Sequence, residues 1–324
     1  MSKNGKKLLI AAALLVLIGC VLFVSAMAMQ GWDFTKLSTT KYVTNEYELS
    51  GSVKNISVRI DTADVTLVPS ESGKASVVCF EQEKVKHSVS VNEGELVIEV
   101  NDTRSWYEHI GISFSSPKVT VYLPAGEYGA LAVKSTTGDV EIPTEFGFES
   151  IDISASTGDI KNYASASGEM KIKATTGDIL LEDLSAGNVE LSVSTGSVSA
   201  SGVSCDGGFY VDVTTGKTLL TDVTCKSLMT GGSTGDITFR SVIVAEGLTV
   251  KRDTGDVKLE RCDAAEIFIE TDTGDVSGTL LSEKIFIAES DTGRVDVPKT
   301  VSGGRCEIIT DTGNIKIGVQ YGVS

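Results

Sequence analysis

Histidine is nearly absent from this chain of 324 residues, which holds only His87 and His109. Both precede the long regular part of the sequence, so no Ser-His or Cys-His pair can form there, and no zinc-type spacing of Cys and His occurs. Proline is scarce as well, 5 residues against 33 glycines, the balance of regular strands joined by tight turns. Basic residues are outnumbered: Lys plus Arg total 28 and Asp plus Glu total 44, a net charge of −16. Such a surface repels nucleic acid and anionic membrane surfaces, suits a soluble ectodomain and attracts cations. Hydrophobic residues make up 41% of the chain, which excludes a disordered polymer. Of the 6 cysteines, Cys20 lies in an apolar run. The other five, Cys79, Cys205, Cys225, Cys262 and Cys306, are odd in number and so do not form a disulfide framework. Cys205 and Cys225 are separated by a single repeat period and read as stacked, buried thiols.

Lys3, Lys6 and Lys7 precede an uncharged run from Leu8 to Met29. As a helix this run spans roughly 33 Å, enough to cross a hydrocarbon core. The basic flank places residues 1–7 in the cytoplasm, with 8–29 as a single-pass transmembrane helix and the remainder extracellular; Trp32 would anchor the outer interface. Leu17-Ile18-Gly19-Cys20 offers an alternative, a lipoprotein anchored at Cys20. The run stays apolar for nine residues past Cys20, which favours the uncleaved helix.

The dominant signal is a repeat. Thr-Gly pairs end on Gly138, Gly158, Gly177, Gly196, Gly216, Gly235, Gly255, Gly274, Gly293 and Gly313, a nearly constant spacing of about 20 residues. Apolar pairs such as Ile151/Ile153 and Val189/Leu191 lie seven and five residues before the glycine, and Val140, Ile160 or Val257 two after it; Thr218 alone breaks that second column. Alternation of β-branched residues means strands with one buried face. Each repeat reads as a strand, a Thr-Gly-Asp turn where glycine supplies positive φ, a second strand and a variable loop back. A unit this short cannot bury its own apolar face, so the predicted fold is all-β: a parallel β-helix or solenoid of about 20-residue coils, with right-handed winding as the expectation. At about 4.8 Å per layer, nine steps give a rod of roughly 43 Å. Repeat six is the weakest, with Leu228 and Thr230 inward and Gly231-Gly232 following, and a bulge or close backbone approach is expected there.

The expected order is a stalk over 30–50, an irregular β cap over 51–130, the repeats over 131–317 and a tail over 318–324. Asp61-Thr62-Ala63-Asp64 is a degenerate repeat with Ala63 in the glycine position, and Val89/Val91, Leu96/Ile98/Val100 and Val119/Val121/Leu123 are further strand candidates. The cap covers one end of the stack; the tail leaves the other thinly covered, an edge open to self-association.

The turns carry the only concentrated chemistry. Asp139, Asp159, Asp178, Asp236, Asp256 and Asp275 follow the glycine, and over the last four repeats Asp253, Asp272, Asp291 and Asp311 precede the threonine. Like charges stacked at about 4.8 Å repel by about 0.9 kcal/mol per pair in water. Either backbone N–H groups and Arg294 offset this, the reading favoured by so even a recurrence, or a divalent cation does. A weak Ca2+ site would draw on Asp253, Asp256, Asp272, Asp275, Asp291 and Asp311, and would show as heat in a calorimetric titration. No other cofactor is expected. Catalysis is disfavoured: polysaccharide-active β-helices need unusual carboxylates in a few coils, not an even ladder. Trp106, Tyr107, Tyr122 and Tyr128 concentrate in the cap, and Tyr163 and Tyr210 stand in the array before Tyr321; packing is favoured over sugar platforms.

With its Ser156-Thr157-Gly158-Asp159 and Asp253-Thr254-Gly255-Asp256 turns, its Asp61-Thr62-Ala63-Asp64-Val65 stretch and its N-terminal anchor, the chain resembles the bacterial DUF4097 family of adhesin-type proteins over roughly residues 50–317. The resemblance implies a β-helical, surface-associated domain behind a transmembrane segment, without an accepted catalytic motif, and some relatives serve envelope-stress systems. The resulting expectation is a non-enzymatic surface module for adhesion or envelope binding, its partner an envelope protein or a glycan. The alternatives are a signalling accessory, whose seven-residue cytoplasmic tail would need a second protein for output, and a polysaccharide-active enzyme.

Overall fold

A computed structural model describes residues 3–29, 31–33, 40–105 and 115–320. The chain begins with an α-helix, Lys3–Met29, of which Gly5–Met29 is long and apolar enough to cross a membrane. Every other regular element among the described residues is β: a solenoid of short coils, one repeat each, stacked in parallel after that helix.

Each coil has three sides. In one, Ile179–Glu182 follows the turn, and Ser185–Thr195 bends so that its first residues form one side and its last seven another. Inward side chains come from all three: Ile179 and Leu181, then Leu184 and Ala186, then Val189, Leu191 and Val193. The segment expected to be a variable loop back is thus a third, short ladder. Its inward column runs Ala166, Ala186, Cys205, Cys225, Val244, Ala264, and it contains the two cysteines placed together by spacing, both buried and both free thiols. Asp183, Asp222, Ser241 and Arg261, with φ between 50° and 57°, turn the corner before it.

The turn explains why glycine recurs. A Cβ on Gly158, Gly177 or Gly196 would lie 2.1–2.2 Å from the carbonyl oxygen of the glycine in the preceding coil. Most of these glycines also have φ between 125° and 154°. Gly274 and Gly293 are not in that region, yet their Cβ atoms would meet Gly255 O at 2.0 Å and Gly313 O at 1.9 Å. Close stacking of turn on turn, more than positive φ, is therefore what excludes a side chain.

At the N-terminal end the degenerate repeat is a true layer: Thr62 pairs with Thr137 and Val65 with Val140. Beyond it lie Glu95–Asp102 and Lys118–Leu123, still parallel. Antiparallel strands then close the edge: Ser76–Gln82 on Lys118–Leu123, Val85–Asn92 on Glu95–Asp102, and Tyr42–Glu48 on Ser76–Gln82. Tyr42–Glu48 belongs to the cap, although its polar composition suggested a stalk; alternate residues still face inward, and Tyr47 packs against the core.

The other end departs from sequential stacking. The layer that follows Thr273 is not that of Thr292 but that of Thr312; Ile267 pairs with Cys306 and Val276 with Ile315. Lys284–Thr292 and Val295–Asp296 then lie outside Gly304–Thr312 and Ile315–Val319. The last coil in sequence is inserted, and the penultimate one forms the end. Burial accounts for the exchange. The inserted coil has a full inward set in Cys306, Ile308, Ile315 and Ile317, all buried, whereas the outer coil's Phe286, Ala288, Ser290 and Val297 are only half-buried and its Val295 is exposed. A coil with one neighbour needs less apolar surface than one with two.

At repeat six the expected close approach is present. A Cβ on Gly232 would fall 1.8 Å from Val213 O and 2.5 Å from the Arg252 guanidinium. Pairing stops at Asp212–Gly231, so Val213 loses its ladder partner, and Arg252, buried in the next coil, donates Nη1–H to Val213 O at 2.7 Å. Burial pulls this guanidinium below the ordinary arginine range, opposed by Asp212, Asp253 and Asp236; arginine remains charged regardless. Its Nε and Nη2 have no partner among the described residues. Arg252→Ala is expected to cost about 3 kcal/mol through a cavity and an orphaned carbonyl. Arg252→Met, which restores volume alone, recovers about half of that; denaturant melts of both variants give the comparison.

Candidate functional site

The turn column resolves into two acidic columns with different duties. In the one after glycine, each carboxylate accepts the backbone N–H of the equivalent residue one coil on. Asp64 Oδ1 accepts from Asp139 N (3.0 Å), Asp139 from Asp159 (2.8 Å), Asp159 from Asp178 (2.9 Å), Asp178 from Ser197 (2.7 Å), Asp236 from Asp256 (3.2 Å) and Asp256 from Asp275 (2.9 Å). Charge-assisted bonds of this kind contribute roughly 1.5–3 kcal/mol, more than the stacking repulsion. The series continues in spatial order, Asp275 accepting from Asn314 N (2.6 Å) and Asn314 Oδ1 from Arg294 N (3.1 Å). Arg294 thus stands in the end layer, where no further amide needs an acceptor, and it makes no ion pair among the described residues.

The six carboxylates singled out as a Ca2+ ladder are therefore divided. Asp256 and Asp275 serve backbone amides. Asp253, Asp272, Asp311 and Asp291, in that spatial order, project outward from the column before threonine. No three of the six bring ligand oxygens within 4.8 Å of one another.

Of the two histidines, His109 lies outside the described residues, as do Trp106, Tyr107 and Tyr321. His87 is buried in the cap beside Glu81, with Nδ1 at 2.7 Å from Glu81 Oε2. Glu81 also accepts His87 N–H at 2.6 Å and Asn45 Nδ2–H at 2.5 Å. No serine or threonine hydroxyl is bonded to this ring among the described residues. Burial, with Glu81 adding to it, pushes the Cys79 thiol up to about 12; burial pushes Cys225 and Cys306 to about 12 as well, so these thiols are not nucleophiles at neutral pH.

A groove on the array has the character of a binding site. The outward column of the long side runs Lys171, Glu190, Tyr210, Met229, Thr249, Phe268. Most outward positions on the array are polar, but Tyr210 and Met229 are exposed and adjacent in register. The neighbouring column carries Gly208, Ser227 and Gly247, which rise little above the backbone. The result is a groove of about 550 Å³ along the stack, with Tyr210 and Met229 on one wall and Glu169 and Asn188 at one end. Glu190 is fixed by Lys171 at 2.8 Å and Lys173 at 2.9 Å, whose hydrogen bonds hold its carboxyl below the usual range. The sequence alone marked Tyr210 as one of two array tyrosines; the groove becomes visible only when the repeats are aligned on their turn glycines and Met229 falls beside it.

The Toastrack DUF4097 family model matches residues 53–318. Similar solved structures include a "putative adhesin" from Bacteroides fragilis, 13% identical over 86% of this chain and 97% of that one, TM-score 0.43. A "putative lipid binding protein" from Parabacteroides distasonis is 12% identical over 87% and 98%, TM-score 0.47. A "putative adhesin" from Parabacteroides merdae is 11% identical over 74% and 96%, TM-score 0.46. No curated protein matches the chain.

Proposed function

This chain is a member of the Toastrack DUF4097 family, and from that membership we propose a non-enzymatic rod, held at the cell surface by its N-terminal helix, that binds carbohydrate in the groove beside Tyr210 and Met229. The observation that carries the reading is the pairing of these two exposed side chains above a floor of small residues, with carboxylate and amide groups at the margin. A sugar ring presents an apolar face and a polar rim; a flat aromatic flanked by Glu169, Asn188 and Glu190 meets both. The thiol that lies near a histidine, that of Cys79, is buried and pushed up to about 12, which supports binding over turnover. The helix supports anchorage, with residues 30 onward outside the cell.

The test uses the full chain in detergent on a glycan array, with envelope proteins probed in parallel. Retention of a glycan class is expected, weakened about tenfold by Tyr210→Ala. Equal binding by wild type and variant, or capture of an envelope protein alone, overturns the carbohydrate assignment. Release of the native chain from membranes by alkaline extraction overturns the anchorage.

A further inference from the structure

The cap contains a second constellation, unrelated to the groove. Ser76–Gln82 and Val85–Asn92 are joined through Glu83-Lys84 and share one pair, Gln82 with Val85. They then part, the first to pair with Tyr42–Glu48 and Lys118–Leu123, the second with Glu95–Asp102. Cys79 and Glu81 from one strand and His87 from the other fill the wedge between them, at 0%, 0% and 5% exposure.

Apolar side chains fill comparable inward positions elsewhere in the cap, as Val77 and Val121 do. Here a thiol, a carboxylate and an imidazole converge instead, and one ligand atom from each lies within 4.8 Å of the other two. The Glu81–His87 contact explains two of the three. Cys79 Sγ has no hydrogen-bond partner among the described residues, nor does His87 Nε2. Sulfur, nitrogen and one carboxylate oxygen form a donor set for a borderline divalent transition ion, whereas Ca2+ and Mg2+ demand oxygens throughout. Ligand atoms on a tetrahedral zinc stand about 3.3–3.8 Å apart, so the Glu81–His87 contact would open by about half an ångström. A recess of about 10 Å³ between His87, Gln82 and Pro117 borders the ring, room for roughly one water beside it.

We propose that Cys79, Glu81 and His87 form a site for a Zn2+-class divalent ion that pins the corner of the cap where its two hairpin strands separate. The expected stoichiometry is one ion per chain, bound through one thiolate.

The full chain in detergent, stripped by chelator and kept reduced, is titrated with Co2+ and with Zn2+. Cobalt is expected to give a thiolate charge-transfer band that saturates at one equivalent. X-ray absorption of the zinc form is expected to show one sulfur at about 2.3 Å with nitrogen and oxygen near 2.0 Å. At a hundredfold excess over the dissociation constant the thermal midpoint should rise by about 5 °C. Cys79→Ser removes the band; Cys306→Ser, in the array, leaves it. A wild-type protein with no band, a zinc shell of oxygen and nitrogen only, or a band that survives in Cys79→Ser overturns the proposal. The first two readouts use the unmutated chain and do not depend on any variant folding.

Discussion

Replacing Gly177 with alanine is expected to destabilise the array by about 4 kcal/mol or more, an effect far above that of an ordinary surface change. Two penalties combine. Gly177 has φ 134°, a conformation that L residues adopt at a cost of roughly 1–3 kcal/mol. Its new Cβ would also sit 2.1 Å from Gly158 O and 2.7 Å from Gly158 C, both main-chain atoms that cannot rotate away. Relief requires the two turns to separate, which breaks Gly158 N–H to Thr176 O at 3.0 Å and Ile160 N–H to Asp178 O at 2.9 Å. Gly274→Ala isolates the second penalty, since Gly274 lies outside the left-handed region while its Cβ would meet Gly255 O at 2.0 Å. A loss of about 3 kcal/mol is expected there. Ala63→Gly is the control. Ala63 occupies the same column, buried, but above it lies Pro117, whose carbonyl accepts from Asp64 N, rather than another turn glycine. Its replacement should cost under about 1 kcal/mol. Denaturant melts and hydrogen exchange across residues 140–200 report the losses; a neutral Gly274→Ala would refute close stacking as the reason for the glycine column.

The same column shows what a repeat discloses and what it conceals. Thr-Gly spacing and the flanking apolar pairs fixed the coil length, the buried face and the two principal sides, because period and alternation are properties of neighbours in sequence. The third side escaped notice. Its inward pairs, Leu184/Ala186 or Val203/Cys205, are too short for alternation to stand out, and of its left-handed corner residues only Gly202 has the composition of one. The acidic columns were legible as columns, but their duties were not: Asp256 bonds an amide and Asp253 does not, a distinction set by backbone direction at the turn. The groove needed Met229 and Gly247 brought beside Tyr210 by register. In the cap, Glu81 was the available signal, a carboxylate at an inward position of an alternating strand, and its meaning depended on His87 arriving from a different pairing.

Coil order gives the second large effect. Period reports distance along the chain and is silent on which coil touches which. Here a deletion distinguishes the arrangements. Lys284–Thr292 and Val295–Asp296 pair only with the final coil among the described residues. Ending the chain after Ser302 should therefore lose two layers, one removed and one left without a neighbour, and expose Ile267, Val276 and Leu280. Excising residues 282–302 with a short linker should cost one layer and leave the inserted coil seated, because its contacts with Ile267 and Val276 remain. Sequential stacking predicts the reverse ranking. A cross-link reads the order directly. Phe268 and Glu307 are register partners in adjacent parallel strands, about 4.8 Å apart and within disulfide reach. Phe268→Cys with Glu307→Cys should oxidise readily, whereas Phe268→Cys with Ile287→Cys, two layers apart at about 9.6 Å, should not. Asn314 and Arg294 already point the same way. Asn314, whose N–H donates to Asp275 Oδ1 and whose Oδ1 accepts from Arg294 N, lies in the inner coil, and Arg294, with no side-chain acceptor to offer, lies at the end. An exchange of these two residues should accordingly weaken the end of the rod by about 1–3 kcal/mol, since Arg294 placed between two layers would leave one backbone N–H unmatched.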